Sequence, residues 1–541
     1  MNARVIETRW VLVLLAAVGI IVSLGIHVGE FHFFGDEMRH AMSGVFFRDL
    51  LVDFPWRNPV QYALEYYAKY PALGILYWPP FFYFVEGLFF LVFGINVVAS
   101  RLSILAFALL AVYFWLRIAE RNGPRYRAYL SALIFPLLPF MLTYERVTML
   151  EIPALALSLG AIHYWQKFRE EEKPRHLWLL ALYLVLSLYT SQKALFVPAL
   201  IVVHFLFSNK FRLLKRWDVW VAGALSIACV LPWYILTINR LALSYERAVG
   251  QGFAHMSKGL NWSYYLHFLP EQMGHGYFGV AMLCLAIAGV VWALLRSPRE
   301  NLFFLLWVFG TYAFFTPILE KSSRHSMYWI PPLVYFALMA VEVLFLRKKA
   351  AQVAAAALAL AVVFNAARFE TQKIAGVDEL ARFVVAQPES DILYYQGFLN
   401  GNFIFHARKY DPQKSHYVAR EKQVVAVRVY AGYGQRQVLK TPEEVLEFFK
   451  SWGIRYVMIE NFEFFAGLGP VRKALQSGEF ELLRIFPIWS SHENLRGRRV
   501  YLYRYKGPLQ RTVRFVELPM LTLRDDIQAD LDRLAGRPWP N

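Results

Sequence analysis

Long apolar runs dominate the first two thirds of this chain and limit the folds open to it. Each run holds about 15–20 residues with few charges, close to the roughly 20 residues that an α-helix needs to cross a bilayer. Of the 541 residues, 57% are hydrophobic and only 18% are charged, whereas a soluble domain carries about 25% charged residues. The sequence therefore predicts a polytopic α-helical membrane protein.

Eleven of these runs are candidate membrane spans. They cover residues 10–28, 98–116, 128–143, 152–166, 177–190, 194–208, 217–237, 277–295, 302–318, 327–346 and 350–367. The stretch 177–208 is long for one helix and short for two, and basic loops flank it on both sides. We therefore predict two short spans there, with a turn at residues 191–193.

Basic residues cluster in the short loops on one side of this predicted topology. They are Arg117, Arg121, Arg125, Arg127, Lys167, Arg169, Lys173, Arg175, Lys210, Arg212, Lys215, Arg216, Arg296, Arg299, Arg347, Lys348 and Lys349. The positive-inside rule assigns these loops and the N-terminus to the cytoplasm, which predicts a multi-pass protein of the cell (cytoplasmic) membrane. The same loops account for much of the net charge of +17, and no zinc-finger or helix-turn-helix pattern indicates a nucleic-acid partner.

Segment 75–94, ILYWPPFFYFVEGLFFLVFG, decides the parity of the topology. It is long enough to span, and a crossing here would put every later basic loop outside. Pro79, Pro80 and Glu86 weaken it as a span, and its aromatic residues suit a membrane interface. We expect it to lie along the outer surface, within an outer loop of interfacial helices at about 29–97.

The remaining residues, 368–541, are more polar and read as a C-terminal α/β domain that follows the transmembrane domain of residues 1–367. Eleven crossings from a cytoplasmic start make this domain extracytoplasmic. Helical spacing is found at 377–387, and 441–460 predicts a capped helix, a glycine stop and a strand. Further strands are predicted at 391–396, 423–429 and 499–505.

Several ionisable residues fall together on the predicted outer side of the membrane. They are Asp36, Glu37, Glu151, Lys193, Arg324 and His325. Each one alone has an ordinary explanation as an interfacial loop residue. An ionisable group at membrane depth costs about 2.5–3.5 kcal/mol on insertion scales, however, so such groups indicate a functional site.

This set of residue types suits the transfer of a group from a phosphate. A carboxylate can deprotonate an acceptor hydroxyl, while Lys and Arg hold a phosphate and stabilise the charge that it gains on leaving. A glycosidase would instead need two carboxylates flanking the bond that it cleaves. No Gly-rich phosphate loop is present, so the sequence favours a phosphate carried by a lipid.

Five motifs in this order resemble those of the GT-C fold membrane glycosyltransferases, in particular bacterial relatives of protein O-mannosyltransferases and of aminoarabinose transferases. They are GDEMRHA (35–41), YPALGILYWPPFFYF (70–84), ASRL (99–102), ERVTMLEIPAL (145–155) and RHSMYWIPPL (324–333). The resemblance runs over about residues 10–345. It implies a polyprenyl-phosphate sugar as donor and inversion at the anomeric carbon.

The resemblance also implies roles for the acidic residues. The general base of the family, an acidic residue after the first span, maps onto Asp36. Glu37 would orient Asp36 or position the acceptor, and Glu151 maps onto a second acidic residue of the next outer loop. A divalent metal held by Asp36, Glu151 and a histidine is compatible with the sequence, which does not itself require a cofactor.

The basic residues map onto the donor phosphate. Lys193 corresponds to the lysine of the family near the phosphate, and Arg324 and His325 correspond to its late Arg/His pair. Many relatives carry Glu-Lys directly before the Pro-Pro pair, whereas this chain has Tyr-Trp there. The phosphate contact of that lysine is therefore either missing or replaced, with Lys69 as the candidate.

The acceptor, which would be a lipid, a cell-envelope glycan or a protein, does not follow from the sequence. Two other functions stay open. A polysaccharide ligase or polymerase of similar architecture would need paired arginines in its outer loop, and Arg240 and Arg247 meet this need. A lipid or sugar transporter would favour charges near the bilayer midplane and inverted repeats, which the sequence does not display.

Overall fold

The computed structural model describes residues 3–31, 35–74, 78–208, 210–249, 262–318, 321–345, 347–428, 435–461, 469–518 and 526–536. Within these residues the chain forms a helical region followed by a domain that contains a mixed sheet. The helices of the first region are α1 Ala3–Ser23, α2 Asp36–Asp53, α3 Pro59–Lys69, α4 Phe81–Phe93, α5 Val97–Asn122, α6 Arg125–Ile134, α7 Pro139–Glu145, α8 Glu151–Glu171, α9 Pro174–Leu188, α10 Phe196–Phe207, α11 Trp217–Val249, α12 Leu269–Met273, α13 Gly276–Arg296, α14 Leu302–Phe315, α15 Ile330–Leu344 and α16 Lys348–Ala367.

Each of the eleven predicted spans falls on a helix or a pair of helices, but the count of eleven crossings is not established. Within the described residues, five helices are long and apolar enough to cross a membrane, or six if one bent pair is a single span. The span predicted at 128–143 falls on that bent pair, α6 with its 3-10 extension and α7. Its two parts meet at 65° because Pro136 and Pro139 interrupt the helical hydrogen bonds.

The two short spans predicted at 177–208 fall on two separate helices with a turn between them, and their crossing of the membrane stays a prediction. Helix α9 ends at Leu188, and α10 begins at Phe196 after a 3-10 turn at Gln192–Leu195. The side chain of Ser191 caps this turn by accepting a hydrogen bond from the backbone N–H of Lys193 at 3.3 Å. The turn therefore fixes the backbone that carries Lys193.

Helix α4 occupies the part of segment 75–94 that was expected along the membrane surface. It packs between α2 and α5 and begins where the N–H of Phe81 donates to the carbonyl of Tyr189 at 2.9 Å. Its 13 residues extend about 20 Å at 1.5 Å per residue, less than the roughly 30 Å of the bilayer core. Residues 75–77 lie outside the described residues, and the surface position stays a prediction.

The second region contains a five-stranded sheet with helices on its sides. Its elements are β1 Ile374–Ala375, α17 Val377–Val385, β2 Ile392–Gln396, α18 Asn400–Tyr410, β3 Tyr417–Arg420, α19 Glu421–Val424, β4 Ala426–Arg428, β5 Gln435–Gln437, α20 Pro442–Trp452, β6 Tyr456–Glu460, α21 Gly469–Leu475, β7 Phe480–Pro487, β8 Trp489–Ser490, β9 Arg499–Tyr505, β10 Phe515–Leu518, β11 Ile527–Asp530 and α22 Leu531–Leu534. The strand order is β3-β2-β6-β9-β7, with β2 parallel to both of its neighbours and β9 antiparallel to both of its own.

Most of the elements predicted in this domain are confirmed. Helix α17, strands β2 and β9, and the Thr441-capped helix α20 with its Gly453 stop before β6 all lie where the patterns indicated. The strand predicted at 423–429 is wrong in its first half, because Gln423 and Val424 end the short helix α19. The strand β4 begins only at Ala426 and pairs with β5 in a separate hairpin.

Buried polar contacts fasten this domain to the outer loop of the first region. The carboxylate of Glu30 accepts hydrogen bonds from the N–H groups of Gly376, Val377 and Asp378 at 2.9–3.1 Å, at the start of α17. Asp49 of α2 forms an ion pair with Arg408 of α18 through two oxygens, at 2.9 and 3.0 Å. The domain is thus attached to the outer loop at two points, before α2 and near the end of α2.

Candidate active site

Four of the predicted charged residues lie together, and each stands at or near the start of a helical element. Asp36 is the first residue of α2, and Glu151 is the first residue of α8. Lys193 lies in the 3-10 turn before α10, and Arg324 lies in the 3-10 turn Ser323–Trp329 before α15. Helix starts carry partial positive charge, which favours the two carboxylates at these positions.

The ion pairs within this cluster are direct. The ammonium of Lys193 donates to Oε1 of Glu151 at 2.7 Å. Nη1 of Arg324 lies 3.4 Å from the same oxygen and 3.6 Å from Oδ2 of Asp36. Arg324 is itself oriented by Ser322, whose hydroxyl accepts from its Nε at 3.2 Å. Two cations are thereby held beside two carboxylates.

The two carboxylates differ in their surroundings. Glu151 is 3% exposed and accepts from Lys193, while Asp36 is 18% exposed and shares only the longer contact to Arg324. Burial raises the pKa of Asp36, partly offset by the nearby guanidinium of Arg324. A carboxylate with a raised pKa and an accessible oxygen is the better proton acceptor of the two.

Glycine at position 35 allows Asp36 to begin its helix. Gly35 has a φ of +81°, a left-handed conformation that residues with a Cβ adopt at an energetic cost. This turn redirects the chain into α2, so that the carboxylate of Asp36 reaches Arg324. The GD pair of the GDEMRHA motif therefore has a backbone role as well as a chemical one.

Glu37 does not join the cluster. Its buried carboxylate accepts from the N–H of Thr148 at 3.1 Å and lies 3.5 Å from Nε of Arg101. Arg101 in turn donates to the carbonyls of residues 26, 28 and 30, at 2.8–3.1 Å. The structure thus gives Glu37 a position behind the site, where it balances the charge of the arginine that organises the chain leaving α1.

Lys69 lies away from the cluster, whereas His325 stays beside it, next to Arg324 in the chain, and its predicted role at the donor phosphate stays a prediction. The ring of His325 shares a 2.9 Å hydrogen bond with the hydroxyl of Tyr265 and stacks on Phe315. Lys69 is buried and donates to the carbonyl of Lys414 in the C-terminal domain. A contact to a phosphate at Lys193 is not available to Lys69, because its ammonium is engaged at the junction of the two regions.

Three aromatic or histidine side chains near the cluster were missed by the sequence reasoning. His40 shares a 2.8 Å hydrogen bond with the hydroxyl of Tyr83, and its ring lies 4.4 Å from the ring of Trp78. The spacing of Asp36 and His40, four residues apart on one helix, was the available signal, since such residues share a face. Tyr83 and Trp78 come from the segment around α4, whose position the sequence did not fix.

The cluster does not fit a divalent metal well. No group of three or more His, Cys, Asp and Glu side chains with metal-binding geometry occurs among the described residues. Both Lys193 and Arg324 contact Oε1 of Glu151, so a metal cation bound there would be repelled by two positive charges. We therefore derive no step through a metal.

Comparisons with known proteins agree with this architecture. Residues 78–236 match the family described as dolichyl-phosphate-mannose-protein mannosyltransferase. No curated protein sequence matches the chain significantly. The fold is similar to that of ArnT from Cupriavidus metallidurans, at 14% identity and a TM-score of 0.60 over 93% of this chain and 99% of that chain.

ArnT from the same organism with bound undecaprenyl phosphate is similar to the same degree, with a TM-score of 0.60 at 14% identity over 93% of this chain and 98% of that chain. The mycobacterial arabinofuranosyltransferase AftD matches with a TM-score of 0.55 at 14% identity, over 93% of this chain but 40% of AftD. The oligosaccharyltransferase of Archaeoglobus fulgidus matches with a TM-score of 0.52 at 10% identity, over 83% of this chain and 68% of that chain. The chain therefore has the GT-C fold of membrane glycosyltransferases.

Proposed function

Starting from the GT-C fold, we propose that this protein transfers a sugar from a polyprenyl-phosphate donor to a hydroxyl of an extracytoplasmic acceptor, with inversion at the anomeric carbon. The acceptor class comprises lipids, cell-envelope glycans and proteins. The observation that carries this proposal is the cluster in which Arg324 lies between the accessible carboxylate of Asp36 and the Lys193–Glu151 pair. It offers a base and two phosphate-binding cations within one small volume.

Asp36 acts as the general base in this proposal. Its carboxylate accepts the proton of the acceptor hydroxyl as the oxygen attacks the anomeric carbon. The bond between that carbon and the phosphate oxygen breaks, and its electron pair leaves with the polyprenyl phosphate. A single displacement of this kind inverts the anomeric configuration, and one base suffices because phosphate is a good leaving group.

Lys193 and Arg324 stabilise the phosphate as it leaves. The phosphate gains negative charge in the transition state, and two cations held in advance lower the free energy of that state without reorganising. Glu151 keeps both cations in place through Oε1. Its Oε2 is buried and has no hydrogen-bond partner among the described residues, so it is suited to accept a hydrogen bond from a substrate hydroxyl.

The extracytoplasmic orientation rests on charge. The basic clusters at residues 117–127 and 167–175 lie where α5 ends and α6 begins, and where α8 ends and α9 begins. Glu151 is at the opposite end of α8, and Lys193 lies beyond the opposite end of α9, beside Glu151. The positive-inside rule then assigns the cluster and the C-terminal domain to the outer side of the cytoplasmic membrane.

The donor is tested with purified protein in lipid vesicles that contain a radiolabelled undecaprenyl-phosphate sugar. Lys193→Ala should lower donor turnover by roughly 10–150-fold, because a hydrogen bond to a charged group contributes about 1.5–3 kcal/mol. Lys348→Ala, which removes an exposed lysine at the start of α16, is the matched control and should leave turnover unchanged. Transfer from a soluble nucleotide-sugar that is insensitive to Lys193→Ala would refute the proposal.

A further inference from the structure

Two arginines, one beside the candidate site and one in the C-terminal domain, form no ion pair among the described residues. Arg39 lies three residues after Asp36 on α2, and Arg420 is the last residue of β3 in the C-terminal domain. Neither forms an ion pair with a carboxylate within 4 Å in the described part of the chain. The two cations of the candidate site, Lys193 and Arg324, each contact a carboxylate.

Arg420 is the more constrained of the two arginines. It is only 8% exposed, and Nη1 donates to the carbonyl of Pro71 at 2.7 Å. Its Nε is buried and has no hydrogen-bond partner in the described residues. A guanidinium has five N–H groups, so this side chain keeps donors for a further oxygen.

The turn at residues 71–74 brings the two arginines to one place. Pro71 at its start accepts from Arg420, and a Cβ built on Gly74 at its end would lie 3.8 Å from the Cβ of Arg39. The turn is also tied to α2, since the N–H of Gly74 donates to the hydroxyl of Ser43 at 3.0 Å. That hydroxyl itself donates to the carbonyl of Arg39 at 2.7 Å.

This arrangement is electrostatically costly in the empty protein. Burial, together with the positive charge of Arg39, lowers the pKa of Arg420 to about 10. The carboxylate of Glu421 offsets part of the charge. A buried cation is normally retained only where an anion compensates it, and a guanidinium fork matches the geometry of phosphate oxygens.

We propose that Arg39 and Arg420 form a second anion site, which binds a phosphate group of the acceptor. The assignment to the acceptor rests on the proposed function, in which Lys193 and Arg324 bind the donor phosphate. Arg39 is one helical turn from Asp36, so a phosphate held there would bring the acceptor beside the general base. The protein would then select an acceptor that carries phosphate near its reacting hydroxyl.

Inorganic phosphate is the probe for the site itself. In the Lys193→Ala protein, where the donor site is weakened, added phosphate should raise the unfolding temperature in a concentration-dependent way, because a ligand of the folded state stabilises it. Adding Arg420→Gln, which keeps a donor for the Pro71 carbonyl, should weaken apparent phosphate affinity by at least about tenfold. The matched control is Arg382→Gln, on the exposed part of α17, which should change nothing. No phosphate effect in the parent, or one that survives Arg420→Gln, overturns the site.

Binding of undecaprenyl phosphate tests whether Arg420 belongs to the acceptor site or to the donor site. Its binding to the wild type and to Arg420→Gln is compared by tryptophan fluorescence, and equal affinity is expected. A loss as large as that caused by Lys193→Ala would assign Arg420 to the donor and overturn the acceptor assignment. If the wild type binds no undecaprenyl phosphate at all, the proposed function fails, while the inorganic phosphate measurement still decides whether the second anion site exists.

Discussion

Helix α2 carries an Asp–Arg contact near each of its ends, and the two contacts have opposite character. At the start of the helix, Asp36 lies 3.6 Å from Arg324, with side chains that are 18% and 25% exposed. Thirteen residues later, Asp49 and Arg408 are bonded through two oxygens at 2.9 and 3.0 Å, and their side chains are 0% and 1% exposed. Tyr66 donates to the same Asp49 at 2.8 Å.

The difference shows that a pair of the same two residue types, aspartate and arginine, can be structural in one place and available for chemistry in another. The Asp49–Arg408 pair has its lone pairs and protons satisfied, so it joins the two regions and leaves nothing for a substrate. The contact between Asp36 and Arg324 is longer and only partly buried, which leaves both groups able to exchange partners. Geometry and burial, rather than residue type, thus separate a structural ion pair from a candidate catalytic one.

The largest difference between the two ends should appear in turnover. Asp36→Asn keeps the size and hydrogen-bonding capacity of the side chain but removes the base, so turnover of the lipid-linked donor should fall about 10²–10⁴-fold. Donor binding should change little, which a comparison of kcat with KM would reveal. Asp36→Asn with turnover near that of the wild type would instead make Glu151 the preferred base.

The next effect concerns stability at the other end of α2. Arg408→Met removes the buried partner of Asp49 and leaves it paired only with Arg48, which lies 2.7 Å away and is 28% exposed. The free energy of unfolding should therefore fall by up to about 3–5 kcal/mol. The double variant Asp49→Leu/Arg408→Met removes both charges and should recover most of this loss. Chemical denaturation of the purified protein measures both. A single variant as stable as the wild type would show that the pair does not hold the domain to the outer loop.

The smallest effect separates the two aspartates by the sign of their influence on stability. Burial raises the pKa of Asp36 in the folded protein, so the protonated form is favoured by folding. Its contribution is therefore present below the pKa of the unfolded chain and is lost as pH rises through the higher folded pKa. At neutral pH Asp36→Asn should leave the protein as stable as the wild type or slightly more stable, whereas Asp49→Asn should destabilise it.

A pH titration sharpens the same point. Activity requires ionised Asp36, so the acidic limb of kcat/KM should lie above the pKa of about 4 of an ordinary aspartate. Asp49→Asn should retain that limb in whatever fraction of the protein stays folded. An unchanged limb in Asp36→Asn would show that another group titrates there.

Much of the architecture could be predicted because it depends on local patterns. The apolar runs, the cap at Thr441, the Gly453 stop and the turn before Lys193 are written in neighbouring residues. The break at Pro136 and Pro139 is likewise a local signal of the sequence. The strand expected at 423–429 failed because its apolar residues are shared between a helical turn and a hairpin, which alternation alone does not distinguish.

The sequence by itself determined that the chain is a multi-helix membrane protein with a polar C-terminal domain, since the hydrophobic effect acts on composition and spacing. It also identified Asp36, Glu151, Lys193 and Arg324 as candidate site residues near the ends of apolar helices. Only the tertiary structure decided which charges meet, because an ion pair requires an approach of a few ångströms between residues far apart in the chain. For that reason Glu37 contacts Arg101, Lys69 binds the C-terminal domain, and Arg39 and Arg420 both lie beside the short turn at residues 71–74.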